Sequence, residues 1–127
     1  MIFVDTNFFL RFLLEDIDSQ SQEAKKLFLA GAQGREKLLT STIVFFEIYW
    51  VLKTSIAKSQ LAGILTKVLA MNFIIFDEYS RLVDSLDLFR NSNLSLEDCY
   101  NLAYAKEKNI KSFKTFDTKL SKFFEKN

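Results

Sequence analysis

Met1-Ile2-Phe3-Val4-Asp5-Thr6-Asn7-Phe8-Phe9-Leu10-Arg11-Phe12-Leu13-Leu14 is the stretch on which the fold turns. Residues 1–5 read as a buried strand: an apolar run without polar alternation, ended by Asp5. Residues 7–14 read as a short helix. The same handover recurs downstream. Residues 19–30 predict a helix, with Ala24, Leu27 and Phe28 at helical spacing, ended by Gly31 and Gly34. Residues 37–40 predict a short strand and 42–55 a long helix. A helix over 58–71 carries Leu61, Leu65, Val68 and Leu69. A strand at 72–76 precedes a helix over 78–91, with Leu82, Leu86 and Phe89 in phase. A further helix opens at Asp98 and runs to about residue 108. A strand over 110–115 and a last helix from Asp117 complete the pattern. Strands alternating with helices predict an α/β fold with a parallel sheet covered on both faces.

Nothing in the chain reads as a linker. It has 127 residues, no proline and three glycines, and contains no repeat, so a single domain over 1–127 is expected. That length is enough to bury a core unaided. Hydrophobic residues at 49% and aromatics at 15%, with 14 Phe, mark a folded chain. No basic leader precedes the first apolar run, and 43–52 is too short to span a bilayer. A cytoplasmic location with no membrane partner is the expectation.

Two absences narrow the chemistry. The chain has no His, which removes His-based triads, His-ligated zinc and imidazole acid–base catalysis. It has one Cys, Cys99, so there is no intrachain disulfide and no cysteine metal cluster. Cys99 reads as a small core residue. Carboxylates, hydroxyls and lysines remain, and carboxylate oxygens suit hard divalent cations.

Glu47 stands inside Ile43-Val44-Phe45-Phe46-Glu47-Ile48-Tyr49-Trp50-Val51-Leu52. A carboxylate in so apolar a segment is expected to be partly buried. Such burial costs several kcal/mol unless the group is paired, protonated or metal-bound. Asp5, Asp98 and Asp117 each stand where a strand hands over to a helix or in a helix's first turn. In an open α/β sheet, that is the carboxyl edge where ligands bind. Taken singly, each has a structural reading. Asp5 or Asn7 can cap the 7–14 helix, Ser95 to Asp98 has capping-box spacing, and Asp117 can cap the last helix. Glu47, mid-helix, has no capping role. Its structural alternative is a side chain pointing to solvent. Four convergent carboxylates fit two-metal phosphoryl transfer, which needs no His.

The formal net charge is +1, so global attraction to nucleic acid is weak. The charge is uneven, however. Residues 106–127 hold seven lysines against three acids, net +4, and a phosphate-rich partner is drawn to such an end. A solvated helix face is the structural alternative. Lys111, Lys114 and Lys119 are the candidate phosphate contacts.

Four motifs in order resemble the PIN-domain nucleases, and among them the VapC-like toxins of type II toxin–antitoxin pairs. They are Val4-Asp5-Thr6-Asn7; Phe46-Glu47-Ile48-Tyr49-Trp50-Val51-Leu52; Asp98-Cys99-Tyr100-Asn101-Leu102-Ala103-Tyr104-Ala105; and Thr115-Phe116-Asp117-Thr118-Lys119-Leu120. The resemblance covers essentially the whole chain. It implies a three-layer α/β/α sandwich with a central parallel sheet. It implies that Asp5, Glu47 and Asp98 hold Mg2+ or Mn2+, that Asp117 completes the site, and that Asn7 and Thr115 support the acids. The implied reaction is endonucleolytic hydrolysis of RNA, leaving 5′-phosphate and 3′-hydroxyl ends. The implied partner is a small antitoxin. Glu97, an extra acid beside Asp98, departs from the family pattern.

Other readings fit less of the chain. A haloacid-dehalogenase-like phosphatase wants Asp-x-Asp after the first strand, and Asp5-Thr6-Asn7 lacks the second Asp. A phosphoreceiver domain gives Asp77 a role but leaves Glu47 and Asp117 unexplained. The remaining alternative is a catalytically silent PIN-like binding module. Independently of these, Phe8, Phe9, Leu10, Phe12, Leu13 and Leu14 leave the first helix almost no polar face. That predicts an interface there, for a homodimer or the antitoxin, with the 43–52 segment contributing.

Overall fold

The computed structural model describes residues 1–127. The elements are β1 (Ile2–Phe3), α1 (Thr6–Leu14), α2 (Asp18–Ala32), β2 (Leu38–Thr40), α3 (Thr42–Leu52), α4 (Lys58–Ala70), β3 (Ile74–Phe76), α5 (Tyr79–Arg90), α6 (Leu96–Glu107) and α7 (Thr118–Lys126). The strands form one sheet in the order β1-β2-β3, and both pairings are parallel. The α/β class and the parallel sheet agree with the sequence. The chain divides into two compact units, Met1–Tyr79 and Ser80–Asn127. No helix is long and apolar enough to cross a membrane.

The sheet belongs to the first unit. Register pairs Ile2 with Leu38 and Leu38 with Ile74, so these side chains share one face with Val4, Thr40 and Phe76. Apart from half-buried Ile2, that row is buried. Phe3, Leu39 and Ile75 form the other row, in which Phe3 and Ile75 stay exposed. The Thr40 hydroxyl donates to the Val4 carbonyl at 2.8 Å, tying the end of β2 to the end of β1.

Aromatic packing sets the first helices. Phe28 of α2 meets Phe9 at 5.4 Å and Phe12 at 4.9 Å between ring centroids, with Phe73 on a further side at 6.3 Å. Phe9 and Leu10 are buried, while Phe8, Phe12 and Leu13 are half-buried. Less of α1 is therefore open than its composition suggests, because α2 covers it. In α3, Phe45 meets Phe76 of β3 edge-on at 6.3 Å.

Gly31 does not end α2; it lies inside it. A Cβ at Gly31 would stand 2.6 Å from Leu38 Cδ1 and 3.1 Å from Phe73 Cδ2. The glycine thus permits close approach of α2 to β2. Gly34, at φ +75°, makes the left-handed turn after the helix. Gly31→Ala is expected to destabilise by about 1–3 kcal/mol, as overpacking does, despite alanine's better helix propensity. A urea melt no less stable than wild type contradicts this.

In the second unit, the strand expected over 110–115 does not form. After the positive-φ residue Asn109 the chain runs irregularly. Phe113 stacks on Phe124 of α7 at 5.1 Å, so the segment's apolar contact is with its own helix rather than a neighbouring strand. Arg81 of α5 donates to Glu107 at 3.0 and 3.1 Å and lies over the Tyr104 ring at 4.5 Å, joining α5 to α6. The Arg81 hydrogen bond holds the Glu107 carboxyl below its ordinary range. Cys99 is fully buried, with its thiol 3.9 Å from the Ser92 hydroxyl.

Candidate active site

Asp5 follows β1 and caps α1: its Oδ1 accepts from the Thr6 amide at 2.7 Å. Buried Val4 holds the end of β1 in place. One carboxylate oxygen serves the cap, which leaves Oδ2 for another ligand. Asp5 is exposed, as is Asn7.

Glu47 is half-buried, as its apolar surroundings in the sequence lead one to expect. Ser41 caps α3 by accepting from the Val44 amide at 3.2 Å, which fixes the helix start. Glu47 then falls on the stripe of α3 that also carries Ile43, Trp50 and Val51, exposed to 61%, 41% and 50%. It does not simply point to solvent. The Thr6 hydroxyl donates to Glu47 Oε1 at 2.8 Å.

That bond joins the segment after β1 to the helix after β2. Thr6 is itself buried, so its hydroxyl is not free to turn to water instead. A second link of the same kind lies beside it in the chain order. The Thr42 hydroxyl donates to Glu78 Oε1 at 2.8 Å, connecting the segments after β2 and β3. The carboxyl edge of the sheet is therefore stitched by threonine–carboxylate pairs.

Thr6 was not legible as the supporting residue. The resemblance names Asn7 as a support for the acids; the hydroxyl on Glu47 comes from its neighbour Thr6. The available signal was the hydroxyl immediately after a strand-ending acid. Its direction depends on α1 starting at residue 6, one residue before the predicted start.

In the second unit, Asp98 occupies the third position of α6 and is half-buried. Its amide donates to the Ser95 hydroxyl at 3.2 Å, the capping arrangement expected from their spacing. Glu97 is also half-buried, with Oε1 screened from solvent. Asp117 caps α7, its Oδ1 accepting from the Leu120 amide at 3.1 Å. The Asp117 amide in turn donates to the Thr115 hydroxyl at 3.1 Å, so Thr115 braces the turn that carries this acid.

Within the first unit the structure brings Asp5, Thr6 and Glu47 together through one cap and one side-chain hydrogen bond. In neither unit do three or more Cys, Asp or Glu side chains draw close enough to hold a metal ion. The donor chemistry nevertheless fits a hard divalent cation, since the acids offer oxygen and the chain has no His.

Comparison with curated proteins and with solved structures finds no match in either case. Comparison with protein families matches residues 2–125 to the PIN domain, and with nearly its whole length covered this chain belongs to the PIN domain family.

Proposed function

We propose that the protein is a metal-dependent endoribonuclease, the toxin of a toxin–antitoxin pair, formed as one PIN domain over 1–127. PIN domains are generally nucleases that use divalent metals. The observation that carries the reading is the Thr6–Glu47 hydrogen bond. It aims a mid-helix carboxylate at the strand end where Asp5 stands.

Asp5, Glu47, Asp98 and Asp117 would hold Mg2+ or Mn2+. Such ions, when bound, offset the charge of a phosphodiester in displacement and lower the pKa of attacking water. The chain's own part is orientation. Thr6 fixes the rotamer of Glu47, the α1 cap fixes Asp5, and Thr115 with the α7 cap fixes Asp117. The partner would be a small antitoxin. The apolar stripe of Ile43, Trp50 and Val51 around Glu47 supports a cover at that place, whether antitoxin or second copy, whereas α1 is largely covered by α2.

The test is incubation of partner-free protein with total cellular RNA and Mn2+, with mapping of new 5′ ends. Discrete cuts lost in EDTA and in Glu47→Gln carry the proposal; no cuts under any divalent metal overturn it in favour of a silent binding module. Thr6→Val probes the carrying observation directly. It keeps volume and removes the hydroxyl, and loss of an outer partner to a metal ligand typically costs 10–100-fold. Cleavage is expected to fall by about that factor with the circular dichroism spectrum unchanged, and Thr6→Ser is expected to restore it.

A further inference from the structure

Phe116 is the most exposed of the fourteen phenylalanines, with relative accessibility of 106%. The segment that carries it is braced. Phe113, three residues before it, is stacked on Phe124. Thr115 accepts from the Asp117 amide, and Asp117 accepts from the Leu120 amide. These contacts brace the backbone on both sides, and the ring extends into water.

Cations gather on the adjoining helix. Lys119, Lys122 and Lys126 follow one face of α7 and, with Thr118 and Phe123, line a cavity of about 390 Å³. None of the three is ion-paired. Lys114, two residues before Phe116, is exposed. An outward aromatic ring flanked in the chain by unpaired cations complements a polyanion whose repeating unit carries a flat ring.

We propose that Phe116 is a stacking platform for an unpaired RNA base, with Lys119, Lys122 and Lys126 receiving the adjoining phosphates. The inference rests on the RNA substrate proposed above and narrows it to single-stranded segments. In a duplex both faces of a base are already stacked, and the deep groove of A-form RNA shuts side chains out. In a loop or at an end, a base can swing onto an aromatic ring. Because the backbone that carries the ring is already braced, only the ring's own rotation is left to order on binding. A platform of this kind tolerates every base, since each has a π-face. Sequence preference must therefore come from elsewhere in the site.

The test measures binding in EDTA, so that no cleavage occurs and the metal site is not needed. The probe is a single-stranded RNA of roughly 10–15 nucleotides carrying 2-aminopurine, alongside its duplex form. Wild type is expected to quench the 2-aminopurine and to prefer the single strand. Phe116→Ala is expected to abolish the quench and weaken binding about tenfold, within the range for loss of one stacked base, and Phe116→Trp to restore both. Lys119, Lys122 and Lys126 changed together to Gln are expected to lower the slope of log affinity against log salt by about 2. Equal binding by Phe116→Ala, or equal affinity for the duplex, overturns the inference. So does a Phe116→Ala chain that changes assembly state by light scattering while binding RNA as before, since the ring is then a protein contact. The nuclease reading fails separately. If RNA binding depends on Phe116 but no metal supports cutting, that reading falls and the platform stands.

Discussion

Phe9→Ala is expected to cost about 3–5 kcal/mol of folding stability, the range for deleting a buried phenylalanine ring. The side chain is completely buried. Its ring meets Phe28 at 5.4 Å, and Phe28 also holds Phe12 and Phe73. Truncation therefore removes one wall of a four-ring cluster at the α1–α2 junction. The cluster is built of rigid rings, which refill a void poorly, so the upper half of the range is expected. Against a total of about 5–15 kcal/mol for a typical domain, that is a large share. The urea midpoint should fall with the m value unchanged. Phe9→Leu, which refills part of the void, should recover at least about half of the loss. A cost below about 1 kcal/mol would mean that Phe9 is not the anchor its burial indicates. The effect also reaches the site, because α1 carries Asp5 as its cap and Thr6 as its first residue. Cleavage measured well below the melting temperature should survive, and cleavage near it should not.

The same residues explain what the sequence could and could not disclose. Strands at the start, near 38–40 and near 74–76 were readable because each is a short apolar run bounded by turn or capping residues. The helices are readable from period, with ends displaced by at most three residues. The strand at 110–115 was a misreading of Ile110, Phe113 and Phe116 as one apolar run. The three go to different places: Phe113 to Phe124, and Ile110 and Phe116 to solvent. Gly31 was read as a stop because glycine usually is one at a helix end, whereas here it makes room for Leu38. In both cases a tertiary contact decided the outcome, and a linear pattern contains no tertiary contact. The acids were findable because an ionisable group among apolar residues needs a reason. Which hydroxyl serves Glu47 was not findable, since it turns on where α1 begins to within one residue.

Glu47→Gln is expected to lower RNA cleavage by more than about 100-fold, beyond the 10–100-fold that loss of an outer partner to a metal ligand costs. The substitution keeps the side chain's shape and most of its hydrogen bonding. Gln Oε1 can still accept from the Thr6 hydroxyl, so the link across the sheet edge is preserved. What is lost is one negative charge and one of two anionic oxygens. A hard divalent cation is held by charge as much as by geometry, and a neutral amide is a poor replacement. Stability should change little or improve, because a half-buried carboxylate on the stripe of Ile43, Trp50 and Val51 is costlier to keep from water than a neutral amide. Loss of cleavage with unchanged or higher stability is the signature that separates a catalytic carboxylate from a structural one. A structural Glu47 would show the reverse: reduced stability with activity falling only in proportion to unfolding. Paired urea melts and single-turnover cleavage assays in Mn2+ decide between them. Thr6→Val sharpens the comparison, since it leaves the charge and removes the bond. If charge is what matters, Glu47→Gln is the more damaging of the two. If orientation alone matters, Thr6→Val is the more damaging, because Glu47→Gln keeps the bond.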